Sequence, residues 1–303
     1  MGIKLHREPQ LENPAMVAAW PGIGNIGVLA VETLKTLIEA EEFAEIDPHD
    51  FFYPRRMTID SGEMTAIEFP SNKFYFKKTP RKDLILFLAE EQPTTGMGPY
   101  AEGRRAYEMA NLVLDVAEKF GCRRIYTSGA AVAPIHHTMR SRVWAVPNSE
   151  RLIPEIKSYQ NAALMSDIEG RGGQGNITGL NGLLIGAAQR RGFDAICLMG
   201  EVPIYLQGFP FPYPKATKSV LEVLSVSLGI ELDMSGIDQM AHQSQVEIDG
   251  LYAGFPAEVK EQLDRLNTMP RQASPVSGPI TDEDKKKILE DLDKFFKRGT
   301  IGD

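Results

Sequence analysis

Cysteine is nearly absent: Cys122 and Cys197 are the only two in 303 residues. Neither a disulfide framework nor a thiolate metal cage can be built from so few, and both read as small core residues of a reducing compartment. Clustered positive charge is missing as well. The net charge is -8 and the Lys and Arg are scattered, so no nucleic-acid partner is expected, because neutralising phosphates needs grouped cations. No apolar run approaches the ~18 to 20 residues of a membrane span, and the polar stretch Met1 to Pro14 does not read as a signal peptide, so a cytoplasmic protein with no membrane partner is expected. Two catalytic signatures are lacking too. No Gly-rich stretch ends in Gly-Lys-Ser/Thr, and Ser128-Gly129 is not part of a Gly-x-Ser-x-Gly elbow, which leaves nucleotide hydrolysis and a serine nucleophile without support.

What is present is an ordinary globular composition, 43% hydrophobic and 24% charged. Short apolar, mostly aliphatic runs at Val17 to Trp20, Leu84 to Leu88, Arg124 to Thr127 and Ala195 to Met199 read as buried strands, each followed closely by Gly or Pro. Helix-period segments lie between and after them, at Asn25 to Ala40, Tyr100 to Phe120, Thr178 to Arg191 and Lys215 to Leu228. This alternation predicts an α/β fold with a substantial parallel portion. Met57 to Asp60, Met64 to Phe69 and Phe74 to Lys78 read as an antiparallel meander, and Arg142 to Val146 as a further strand, so a mixed sheet is expected. Ser235 to Leu266 reads as interrupted helix. A Pro-rich linker over Asn267 to Pro279 then leads to an amphipathic helix that starts at Thr281-Asp282-Glu283-Asp284. The expected division is an α/β core over 1–233, a helical extension over 234–268, and the linker with its terminal helix over 269–303.

The segment Trp20-Pro21-Gly22-Ile23-Gly24-Asn25-Ile26-Gly27 spells Gly-x-Gly-x-x-Gly between a strand and a helix. One reading is a dinucleotide turn, in which a pyrophosphate sits on the helix N-terminus. The other is a tight connection shaping a pocket or interface. Asp47 lies about where a ribose-binding acid would be sought, but Glu41 to Glu45 makes a poor buried central strand, which argues against the nucleotide. Gly175-Asn176-Ile177-Thr178-Gly179 closes a second Gly-rich loop, again at a helix start. Ligands of open α/β sheets gather at the carboxyl ends of the strands. The expected crevice residues are therefore Gly22, Gly24, Asn25, Gln92, Ser128, Gly175, Asn176, Thr178 and Tyr205. Glu90 and Glu201 are the candidate general acid/base pair, with loop and helix capping as the competing explanation. His136-His137 does not have metal-ligand spacing; no metal and no cofactor are expected. The loop Leu206 to Pro214 would make its Phe209, Phe211 and Tyr213 either an exposed projection or a lid on the core.

These four segments, Trp20 to Gly27, Glu90-Glu91-Gln92-Pro93, Gly175 to Gly179 and Gly200-Glu201-Val202-Pro203-Ile204-Tyr205, resemble in order the proteasome assembly chaperone 2 family, over about Ala15 to Asp233. The resemblance implies a three-layer α/β sandwich with a mixed, largely parallel sheet, similar to the purine nucleoside phosphorylase fold, with C-terminal helices added. It also implies a homo-oligomer, most often a trimer, and chaperone-like work with other protein subunits in complex assembly. Relatives that engage the proteasome ring can end in a hydrophobic residue, Tyr and any residue. This chain ends Thr300-Ile301-Gly302-Asp303, so engagement by that route is not expected. A nucleoside phosphorylase or hydrolase acting on a small nucleoside or sugar is the alternative.

Overall fold

The computed structural model describes residues 2–93, 103–167, 177–209 and 212–268. Eleven strands occur among them: β1 (Ile3–Leu5), β2 (Ala15–Ala19), β3 (Glu41–Ile46), β4 (Arg56–Asp60), β5 (Glu63–Glu68), β6 (Asn72–Lys77), β7 (Leu84–Ala89), β8 (Arg124–Ala133), β9 (Val143–Pro147), β10 (Ala162–Leu164) and β11 (Asp194–Pro203). The helices are α1 (Ile26–Leu37), α2 (Gly103–Lys119), α3 (Ile153–Lys157), α4 (Gly179–Arg190), α5 (Pro214–Leu228), α6 (Ser235–Ala253) and α7 (Ala257–Thr268).

Nine strands form one sheet in the order β1-β3-β6-β7-β2-β8-β11-β9-β10. The centre, β7-β2-β8-β11, is parallel, and both flanks bring in antiparallel pairs, β6 on β7 and β9 on β11. All five residues of β2 are buried, as a central strand covered on both faces requires. Two apolar layers flank the sheet. One gathers α1, α3, α5, α6 and α7, and the other gathers α2 and α4. The expected three-layer α/β arrangement with a mixed, largely parallel sheet is therefore present. Ile237, Ile248, Phe255, Leu263 and Leu266 of the C-terminal helices belong to the same apolar cluster as α1 and α5, so these helices dock on the core rather than trail from it.

One sequence expectation is corrected. The three-strand meander does not form: β4 pairs only with β5, as a separate two-stranded sheet among the described residues, while β6 turns into the main sheet between β3 and β7. Glu41 to Glu45, a poor candidate for a buried central strand, forms a strand near the edge instead. It runs antiparallel to β6, second from the sheet edge, where its outward carboxylates can reach Lys4, Arg7 and Lys73. The expected linker and terminal helix over 269–303 lie outside the described residues.

Candidate functional site

The first Gly-rich turn owes its glycines to packing. A Cβ added at Gly27 would lie 2.4 Å from the Ser128 carbonyl oxygen, so glycine lets α1 press directly on the backbone of β8. Gly24 has φ +62°, and its carbonyl accepts a 3.0 Å hydrogen bond from the Tyr213 N–H. Tyr213 is buried and Phe209 packs partly against the same core, so this stretch of the aromatic loop is a lid and not a projection. Phe211 lies outside the described residues. Asn25 also adopts the left-handed conformation, at φ +47°, and its exposed side chain makes no capping bond.

The second helix start is tied to the strand ends by two side chains, Gln92 from the loop after β7 and Asn181 from α4 itself. Gln92 donates through Nε2 to the Pro21 carbonyl at 2.6 Å and accepts the Leu180 N–H on Oε1 at 2.9 Å. It thereby satisfies one of the N–H groups that a helix N-terminus leaves open. Asn181 does the same for strand β2, accepting from the Trp20 N–H and donating to the Trp20 carbonyl, both at 3.2 Å. Its own carbonyl accepts from Thr127 Oγ1 at 2.9 Å. Gly22, Gln92, Thr178 and Asn181 line a cleft of about 90 Å³, bounded also by Gly129 and Met199. That volume holds a few water molecules, whereas small-molecule pockets run to ~300 Å³ or more. Thr178 flanks α4 without a side-chain capping bond. Ser128 is fully buried and faces α1, and its Oγ has no hydrogen-bond partner among the described residues. Gly175 and Asn176 lie outside the described residues.

Glu90 and Glu201 do not converge. Both stand near the carboxyl ends of their strands, but β2 and β8 lie between them, which separates their backbones by about 14 Å at ~4.8 Å per strand. Glu201 is fully buried and accepts from the Arg142 N–H, Nε and Nη2 and from Trp144 Nε1, at 2.8 to 3.1 Å. It pins β9 to β11. Glu90 is exposed and accepts from Arg55 Nη1 at 2.7 Å and from the Ser71 N–H at 2.9 Å, so it anchors the base of the β4–β5 hairpin. The expected acid/base crevice is therefore replaced by two separate structural anchors.

Tyr205 belongs to a different cluster. Its hydroxyl oxygen accepts the His137 N–H at 2.7 Å and lies 2.6 Å from His137 Nδ1, while His137 Nε2 is 3.1 Å from Asp249 on α6. Every group is satisfied when the Tyr205 hydroxyl donates to Nδ1 and Nε2–H donates to Asp249. His136 stacks on His137 at 4.0 Å, and both rings meet Tyr252, whose hydroxyl donates to Asp264 on α7 at 2.6 Å. Burial, with His136 next to it, pushes the His137 imidazole down to about 4, and burial lowers His136 as well. Two neutral histidines thus hold α6 and α7 on the loop after β8. His6, Glu42 and Glu45 bring ligand atoms within 4.8 Å of one another at the sheet edge, where Lys4 and Lys73 already oppose the two carboxylates.

Asn181, Arg142, Trp144, Asp249 and Tyr252 were not singled out from the sequence. Asn181 had a readable signal, a polar side chain one turn inside a Gly-flanked helix start. Trp144 lies on β9 and Arg142 just before it, two residues apart in extended chain, but nothing in the sequence tells which acid they meet.

Comparison with known proteins fits this architecture. Residues 16–252 match the model of the PAC2 family. The chain is 30% identical over 232 residues to the uncharacterized protein MJ1210 of Methanocaldococcus jannaschii, an alignment covering 76% of this chain and 80% of that one. It is similar to the crystal structure of Pyrococcus furiosus PbaB, described as an archaeal proteasome activator, with a TM-score of 0.69, 29% identity, and coverage of 82% of this chain and 98% of that one. A Mycobacterium tuberculosis proteasome-assembly chaperone homologue, Rv2125, shares the fold at 20% identity and a TM-score of 0.64, over 84% of this chain and 99% of that one. With residues 16–252 matched by its family model, most of the described fold, the chain belongs to the PAC2 family.

Proposed function

We propose that this protein is a homo-oligomeric, chaperone-like interaction protein of the cytoplasm that assists assembly or activity of a proteasome-type complex, with a ring of three subunits as the expected assembly. The similarity to PbaB over 98% of that chain carries this reading. The chemistry of the strand ends supports it. Glu90, Glu201, Gln92 and Tyr205 are each engaged in holding elements of this chain together, and the cleft beside Gln92 is small. The molecule also offers an exposed apolar hairpin, anchored beside the carboxyl end of β7.

The reading is tested with purified protein and a purified 20S proteasome core particle. Light scattering gives the mass of the protein alone; co-elution and the rate of fluorogenic peptide hydrolysis report engagement. An oligomeric mass with co-elution and a changed peptidase rate is expected. A monomer that neither co-elutes with the core particle nor alters its rate refutes the proposal.

A further inference from the structure

The β4–β5 hairpin carries an uncovered apolar face. Five of the eleven large hydrophobics exposed among the described residues lie in it or at its base: Tyr53, Met57, Ile59, Met64 and Ile67. Met57 and Ile59 are two apart on β4 and share a face; their cross-strand partners, Ile67 and Met64, share it too. All of β5 is exposed, and among the described residues neither strand has a second neighbour. An isolated two-stranded hairpin is marginal in water, and open edges invite another strand.

The sequence of β4, Arg56-Met57-Thr58-Ile59-Asp60, is complementary to itself when run antiparallel. With Thr58 on a twofold axis, Arg56 of one copy faces Asp60 of the other, Met57 faces Ile59, and the second half repeats the first. Each apolar row then continues across four strands. The same operation on β5 sets Glu63 against Glu68 and is opposed by like charge. Arg56 forms no ion pair within 4.0 Å among the described residues, so it is available to the second copy. We infer that two copies of this chain associate by antiparallel pairing of β4 with β4 about a twofold axis through Thr58.

The inference rests on the reading that the chain self-associates, and it narrows that reading. A twofold contact cannot close a ring of three; it joins copies in pairs, as a dimer or as two rings back to back. The test uses full-length protein. Thr58→Cys should form a disulfide-linked dimer under mild oxidation, while Thr65→Cys on β5 should not; the native Cys122 and Cys197 are buried. Arg56→Asp and Asp60→Arg should each weaken pairing by about tenfold in dissociation constant, and the double variant should restore it, because the exchanged charges again oppose. Three results overturn the inference while leaving self-association standing: a wild-type mass that is an odd multiple of the chain, single variants with unchanged mass, or a double variant that stays dissociated. A monomeric wild type overturns both.

Discussion

Gly27→Ala separates the two meanings of the first Gly-rich turn. An alanine Cβ there would sit 2.4 Å from the Ser128 carbonyl oxygen and 2.9 Å from its carbon, where ordinary contacts begin near 3.4 Å. The shortfall is about 1 Å, and Ser128 cannot supply it, because β8 is hydrogen-bonded to β2 on one side and β11 on the other. Helix α1 must lift instead, loosening Ala30, Val31 and Leu34 from the core. Overpacking of this kind costs ~1–3 kcal/mol, offset in part by the better helix propensity of alanine, about 1 kcal/mol at most and less in a first turn. A net loss of about 2 kcal/mol is expected, which moves a urea midpoint down by about 0.7 M if the slope is about 3 kcal/mol/M. Gly186→Ala is the control: it lies in α4, exposed, with nothing within 4 Å of the added Cβ, and should gain about 0.5–1 kcal/mol. If Gly27→Ala unfolds at the wild-type midpoint, the close approach of α1 to β8 is not what this glycine secures.

Three further outcomes can be measured with the same unfolding assay. Glu201→Gln should lose about 2–3 kcal/mol, since Arg142 and Trp144 would face a neutral amide that presents one acceptor oxygen where the carboxylate presents two; an unchanged midpoint would show that the carboxylate does not hold β9 on β11. Gln92→Ala leaves the Pro21 carbonyl and the Leu180 N–H without this partner and should cost about 1–3 kcal/mol, with faster amide exchange at the start of α4. The His137 imidazole is held at about 4, below its ordinary 6.5, so the unfolded chain binds more protons between those values. Stability is then complete above pH 6.5 and declines as pH falls toward 4, by on the order of 3 kcal/mol from this group. Protection of the α6 and α7 amides, with exchange rates corrected for their intrinsic pH dependence, should fall over that window, and His137→Gln should flatten the profile; equal protection at pH 7 and pH 4.5 would refute the role given to the histidine.

The sequence made the frame of the fold legible because its central strands announce themselves by burial. Val17 to Trp20, Leu84 to Leu88 and Ala195 to Met199 are apolar on both faces, and only a sheet covered on both sides tolerates that. The flanks were harder to read for the same reason turned around. Glu41-Glu42-Phe43-Ala44-Glu45 has carboxylates where a central strand would have aliphatics, yet near an edge those carboxylates reach lysine and arginine, and only Phe43 and Ala44 need burial. Composition excluded a central strand there; it did not exclude a strand. The site failed in a more instructive way. Glu90 and Glu201 were correctly placed at strand ends, but position along a strand says nothing about which strands are neighbours. Once β2 and β8 stand between them, two carboxylates that look like a pair become separate anchors, one for β9 and one for a hairpin. The polar residues of these strand ends are largely spent on internal closure. What the fold leaves unsatisfied is the apolar face of β4 and β5, which a strand-by-strand reading assigned to a meander and which only the assembled topology exposes. Contiguous uncovered apolar side chains are the general mark of a contact surface, and it is on this face, rather than on the strand-end polar groups, that the proposed association of the chain rests.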